Sequence, residues 1–114
     1  LDKMKYLEQV AIANNLDVLV EVHDEYELED ALQLETELIG VNNRNLKTLE
    51  ITLDTSRRLA TQIPKDKISV CESGIYKNSE IKEMMKFGYS AFLVGESLMR
   101  NDNIEQATKE LLDI

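Results

Sequence analysis

Leu38-Ile39-Gly40-Val41-Asn42-Asn43-Arg44 passes from an apolar run, with no polar alternation, straight into two amides and a guanidinium. A half-buried strand alternates polar and apolar residues. A continuous short apolar run is instead the pattern of a strand buried on both faces, as in parallel sheets covered by helices. Working outward, the same form recurs at Val18–Val22, Ile68–Cys71 and Ala91–Val94, beside Leu38–Val41 itself. The four starts lie roughly 20–30 residues apart, the separation that parallel crossovers need.

The segments between these runs carry helical signals. Asp24-Glu25-Tyr26-Glu27 has the form of a capping box, with Asp24 as cap and Glu27 reaching back, followed by Leu28, Ala31 and Leu32 on one stripe. Asp54 is expected to cap the next helix, which buries Leu59, Ala60 and Ile63 before Pro64 stops it. A third helix is expected from about Asn78, with Ile81, Met84 and Met85 inward and Gly88 as its stop. A fourth is expected to start at a box from Asp102 to Glu105 and to bury Ile104, Ala107 and Leu111. One further helix precedes all of these, with Met4, Leu7 and Ala11 on its inner stripe and Asn15 as a left-handed end. The order α(βα)4 predicts an α/β fold with right-handed crossovers. Four parallel strands cannot close a barrel of eight, so residues 1–114 read as a single (βα)4 half-barrel unit preceded by one helix.

Composition narrows the function. The net charge is −9, from 22 acidic and 13 basic residues, so a nucleic acid or an anionic membrane surface is a poor partner. An anionic substrate would have to be held by local donors against that field. Cys71 is the only cysteine, which excludes an intrachain disulfide and a cysteine-based zinc site. With one histidine, His23, no metal is expected. His23 reads as a loop residue, Cys71 as inert core, and Met4, Met84, Met85 and Met99 as packing. The chain shows no signal peptide and no apolar stretch near membrane length, so a reducing cytoplasm is the expected location.

In parallel α/β folds ligands bind at the carboxyl ends of the strands. There stand Glu21 and His23, then Asn42, Asn43 and Arg44, then Glu72, Ser73 and Gly74, and last Gly95, Glu96 and Ser97. Glu21 lies within the run Val18-Leu19-Val20-Glu21-Val22, which predicts a buried carboxyl with a raised pKa suited to acid–base work, or else a structural ion pair. Asn42 and Asn43 suit a hydroxyl or carbonyl and Arg44 an anion, although an asparagine-rich turn would look the same. Gly74 and Gly95 leave backbone amides accessible, and Ser97–Arg100 can form a short helix after the last strand. Loops after the last two strands plus such a helix make the phosphate site of many barrels.

Four strings in register, Val20-Glu21-Val22-His23-Asp24, Ile39-Gly40-Val41-Asn42-Asn43-Arg44-Asn45-Leu46, Glu72-Ser73-Gly74-Ile75 and Phe92-Leu93-Val94-Gly95-Glu96-Ser97-Leu98-Met99, closely resemble the indole-3-glycerol phosphate synthase family. The resemblance covers essentially the whole chain. It implies strands five to eight of a (β/α)8 barrel and a lyase of tryptophan biosynthesis. That enzyme closes the indole ring of 1-(2-carboxyphenylamino)-1-deoxyribulose 5-phosphate, with loss of CO2 and water and without cofactor. By the same resemblance, Glu21 is an acid–base and positioning group, and Asn42 and Arg44 face the substrate. Ser73, Gly74, Gly95 and Glu96 correspond to the phosphate cradle. Some members have serine at the position of Glu96, whose carboxylate repels phosphate, so only its backbone N–H could serve here.

Two departures bear on function. The family's catalytic lysines and first-strand glutamate belong to the half not represented here, so the chain is expected to bind phosphate but not to turn over substrate. Glu35-Thr36 stands where the family usually has Gly-Ala, so the second helix lacks its usual end. Open sheet edges and an uncovered inner face predict self-association or pairing with an N-terminal half. Two other readings compete: half of a phosphoribosyl isomerase-type barrel, and a non-enzymatic half-barrel or flavodoxin-like binding or assembly module.

Overall fold

All four apolar runs are strands in the computed structural model, which describes residues 1–113. The order is α1 (Asp2–Ala13), β1 (Leu19–Val22), α2 (Glu25–Ala31), β2 (Leu38–Asn42), α3 (Asp54–Ala60), β3 (Ile68–Glu72), α4 (Asn78–Lys86), β4 (Ala91–Leu93), α5 (Glu96–Met99) and α6 (Ile104–Leu112). The strands form one parallel sheet in the order β1-β2-β3-β4. A doubly wound sheet reverses its strand order and places helices on both faces, whereas right-handed crossovers in unbroken sequence keep every helix on one face. The flavodoxin-like reading is thereby overturned. The fold is the parallel half of a (β/α)8 barrel.

Strand pleating then sorts the residues. Val20, Val22, Ile39, Val41 and Cys71 point outward and are buried with Leu28, Ala31, Leu59, Ile81, Met84 and Tyr89 of the helical layer. On the other face Leu19, Ile68 and Leu93 are exposed by 42%, 41% and 55%. Burial on both faces, expected of every strand, therefore holds along most of β2 and β3 and fails in β1 and β4. The outer strands have a neighbour on one side only, and no layer covers the inner face.

The helix ends follow local chemistry, with corrections. Asp24 caps α2 by accepting from the Glu27 N–H at 2.8 Å, while the Glu27 carboxylate reaches back to the His23 N–H, one residue earlier than expected. Asp54 is not a cap: it is the first residue of α3, and its carboxylate takes the Arg57 guanidinium. Asn103, not Asp102, caps α6 through the Gln106 N–H. The short helix α5 begins at Glu96, one residue before the expected start.

Asn15 and Gly88 take the positive φ expected of them, 59° and 106°. Each closes its helix with the paired bonds of a Schellman turn, Leu16 N–H to Ala11 O and Tyr89 N–H to Met84 O among them. Leu7, Met85, Met99 and Ile104 were expected inside and are exposed. In α1 the buried residue is Glu8, whose carboxylate accepts the Glu35 and Thr36 N–H groups at 3.0 and 2.9 Å. That contact satisfies the backbone where the usual Gly-Ala is missing.

Candidate functional site

Register brings the inward residues at the strand ends together. Glu21 pairs with Gly40, Asn42 with Glu72, and Glu72 with Leu93. Asn42 Nδ2 donates to Glu21 Oε1 at 2.8 Å, and Asn42 Oδ1 accepts from Ser73 Oγ and from the Arg44 N–H, both at 2.9 Å. Glu21 of β1, Asn42 of β2 and Ser73 just after β3 are thus one hydrogen-bonded chain. His23 stands beside it, with Nε2 3.4 Å from Glu21 Oε1 and Nδ1 3.1 Å from Glu27 Oε1.

The buried carboxyl is Glu72, where burial was expected of Glu21. Glu21 lies on the edge strand β1 and its side chain is 39% exposed. Glu72 lies on an interior strand and is 4% exposed. Its carboxyl occupies the space a side chain at position 40 would fill: a Cβ on Gly40 would stand 1.8 Å from Glu72 Oε2. That oxygen is buried without a hydrogen-bond partner among the described residues. Burial, and then the facing Glu21 carboxyl, push Glu72 up to about 7. The one sequence signal for this was a glutamate ending an apolar strand beside a strand that carries a glycine.

The next layer is a pocket of about 260 Å³ between the loops after β3 and β4, lined by Arg44, Glu72, Ser73, Gly74, Gly95 and Ser97 among others. Ser73 and Gly74 are both left-handed, with φ of 66° and 84°. Gly74 requires glycine, because a Cβ there would also meet Ile51 Cγ2 at 3.0 Å. Nothing lies within 4 Å of the space above Gly95, so its backbone is open to the pocket. The N–H groups of Gly74, Gly95, Glu96 and Ser97 make no hydrogen bond among the described residues. The Arg44 guanidinium pairs with the Glu96 carboxylate, which also takes Arg100. Arg44 and Glu96, both expected at the substrate, therefore meet each other across the pocket's side.

Asn43 is turned the other way, into the helical layer, with Ser56, Cys71 and Tyr89. Burial pushes the Cys71 thiol up despite its Ser56 and Asn43 contacts, which suits core rather than chemistry. Among the described residues no cluster of three or more His, Cys, Asp or Glu side chains is arranged to hold a metal ion. Nor is any helix among them long and apolar enough to cross a membrane.

The family model described as indole-3-glycerol phosphate synthase matches residues 1–111. The indole-3-glycerol phosphate synthase of Azospirillum brasilense is 51% identical over 93% of this chain, and that of Albidiferax ferrireducens is 50% identical over 96%. The chain spans 40% and 41% of the length of these two curated relatives. Among solved structures, a native KDPGal structure has a TM-score of 0.67 at 13% identity, over 91% of this chain and 48% of the other. The Amycolatopsis orientalis BexX/CysO complex has a TM-score of 0.62 at 21% identity, over 93% of this chain and 47% of the other. At such identities they speak for the fold alone, and each is matched over about half its length. With the fold, the register of the four strings and the family model all in accord, the chain belongs to the indole-3-glycerol phosphate synthase family.

Proposed function

We propose that this chain supplies strands five to eight of an indole-3-glycerol phosphate synthase barrel, carrying its phosphate cradle and part of its acid–base wall. The supporting observation is the hydrogen-bonded chain Ser73–Asn42–Glu21, which runs from the rim of the β3–β4 pocket to the paired carboxyls on the inner face. A substrate phosphate in the pocket is taken by the free amides of Gly74, Gly95 and Glu96. The Arg44 guanidinium adds charge once it leaves Glu96. The sugar and anthranilate parts then extend along the inner face toward Asn42 and Glu21.

Ring closure needs one proton delivered to the carbonyl oxygen as the ring carbon attacks its carbon. A second is delivered to the hydroxyl that leaves as water after CO2 is lost, and one is removed from the adjacent carbon to form the new double bond. The Glu72 carboxyl, raised to about 7, can give or take a proton near neutral pH, because its donor and acceptor states then lie close in energy. Glu21 faces it from the neighbouring rim and is the carboxyl within reach of a substrate. Asn42 keeps the Glu21 oxygen turned toward the rim. The reaction proceeds in a cytoplasmic enzyme of tryptophan biosynthesis, and turnover requires the lysines of the other half.

Four further strands complete the barrel. The exposed Leu19, Ile68 and Leu93 and the open edges of β1 and β4 are the surfaces they cover. Alone, the chain self-associates through the same surfaces. Two measurements test the reading. Inorganic phosphate titrated into the 15N-labelled chain shifts the Gly74 and Gly95 amides, and the purified chain forms no indoleglycerol phosphate. Shifts confined to other loops, or turnover by the chain free of contaminating enzyme, would sink it.

A further inference from the structure

We propose that Asn43 is a positioning residue whose carboxamide sets the handedness of the Ser73–Gly74 turn, and that phosphate affinity in the β3–β4 pocket depends on it. The proposal rests on the phosphate reading given above. Asn43 does not touch the pocket. It is 2% exposed and every polar atom it has is occupied. Its N–H donates to Glu72 O at 2.8 Å and its carbonyl accepts from the Thr52 N–H at 3.0 Å. Its Oδ1 accepts from the Ser56 N–H at 3.0 Å and from Ser56 Oγ at 2.7 Å.

Those two bonds fix which way the carboxamide faces. Nδ2 is then directed at Glu72 O, 3.1 Å away, and at Ser73 O, 3.0 Å away. These carbonyls belong to the two peptide planes on either side of the Ser73 Cα. The relative orientation of those planes is what φ and ψ of Ser73 describe, so one amide group bridging both carbonyls sets that conformation directly. The conformation needs setting: φ is 66°, in a region that disfavours a residue with a Cβ.

Without the bridge, Ser73 relaxes toward right-handed or extended backbone. Ser73 Oγ then swings off Asn42 Oδ1, and the Gly74 N–H turns out of the pocket. An ordinary core contact would hold only the position of the loop. This one holds the direction in which its donors point, and donor direction is what a bound anion reads.

The test is a phosphate titration of the full 15N-labelled chain and three variants, with stability measured on the same samples. Wild type gives a saturable shift at Gly74. Asn43→Ala weakens the phosphate Kd by about tenfold or more, and Ser56→Ala, which removes the hydroxyl but keeps the N–H, by about threefold. Leu59→Ala, in the core away from the loop, lowers stability yet leaves Kd unchanged. If Asn43→Ala does not fold, Ser56→Ala against Leu59→Ala decides the matter. Wild-type Kd in the folded Asn43 or Ser56 variants, or equal weakening in Leu59→Ala, overturns the positioning role and spares the pocket. No shift at Gly74 in wild type overturns the pocket, and the positioning role with it.

Discussion

Asn42 and Asn43 are adjacent, identical in chemistry and both hidden from water, at 9% and 2% exposure, yet they belong to different machines. On the outer face, Asn43, Ser56, Cys71 and Tyr89 form a neutral cluster in which each asparagine and serine polar atom has a partner, and the Tyr89 hydroxyl donates to Ser56 O at 2.7 Å. On the inner face, Glu21, Asn42, Glu72 and Ser73 form a cluster that contains two carboxyls and one buried oxygen with no partner among the described residues. Polar groups that hold a fold together are satisfied within it. Groups left short of partners in an otherwise satisfied structure point to chemistry with something outside the chain.

The contrast can be broken most directly at the asparagines. Asn43→Ala strands the Ser73 carbonyl and both Ser56 donors, while the Glu72 carbonyl keeps the residue-43 backbone N–H, so it should lower the unfolding free energy by about 3 kcal/mol in urea titration. Asn42→Ala, whose partners can reach water, should cost about 1 kcal/mol or less. Equal losses would mean that the two clusters do the same work.

Acidity sharpens it next. Glu72 binds its proton more tightly folded than unfolded, since its pKa is raised from 4.5 to about 7. Between those values the folded chain therefore holds more protons than the unfolded one. Stability should be greatest below about pH 4.5 on this account, and should fall as pH rises through about 7, by on the order of 2–3 kcal/mol. Glu72→Gln should remove that slope and exceed wild type in stability at pH 8. A variant that keeps the wild-type pH profile would assign the burial penalty elsewhere.

Gly40 comes third. Its φ is not positive, so a side chain there is opposed chiefly by the Glu72 carboxyl, with the flexible end of Leu19 next at 3.3 Å. Gly40→Ala should cost about 1–2 kcal/mol in wild type and almost nothing in a Glu72→Ala background, a coupling that a double-mutant cycle reads out. Smallest of all is Arg44→Ala. Its pair with Glu96 is partly exposed, so stability should stay within about 0.5 kcal/mol of wild type, and less in salt.

Much of this was legible before folding was considered. Each strand lies within about a residue of its apolar run, because a backbone buried on either side selects Val, Ile and Leu locally. Glu21, Asn42, Ser73, Gly74 and Gly95 do reach one rim, because parallel strands all end on the same side. The caps were less legible. Asp54 and Asp102 have the right chemistry but stand one residue from where each helix turns, and neighbours such as Asn103 compete for the same N–H groups.

What the amino-acid order determined by itself was period and sense: which runs are strands, that they lie parallel, and which end gathers the polar groups. Tertiary structure alone decided which of two glutamates is buried. Burial sums over atoms far apart along the chain, and the void that admits the Glu72 carboxyl exists only because Gly40 on the neighbouring strand has no side chain. Glu21, with more apolar residues around it in sequence, sits on an edge strand and meets water instead.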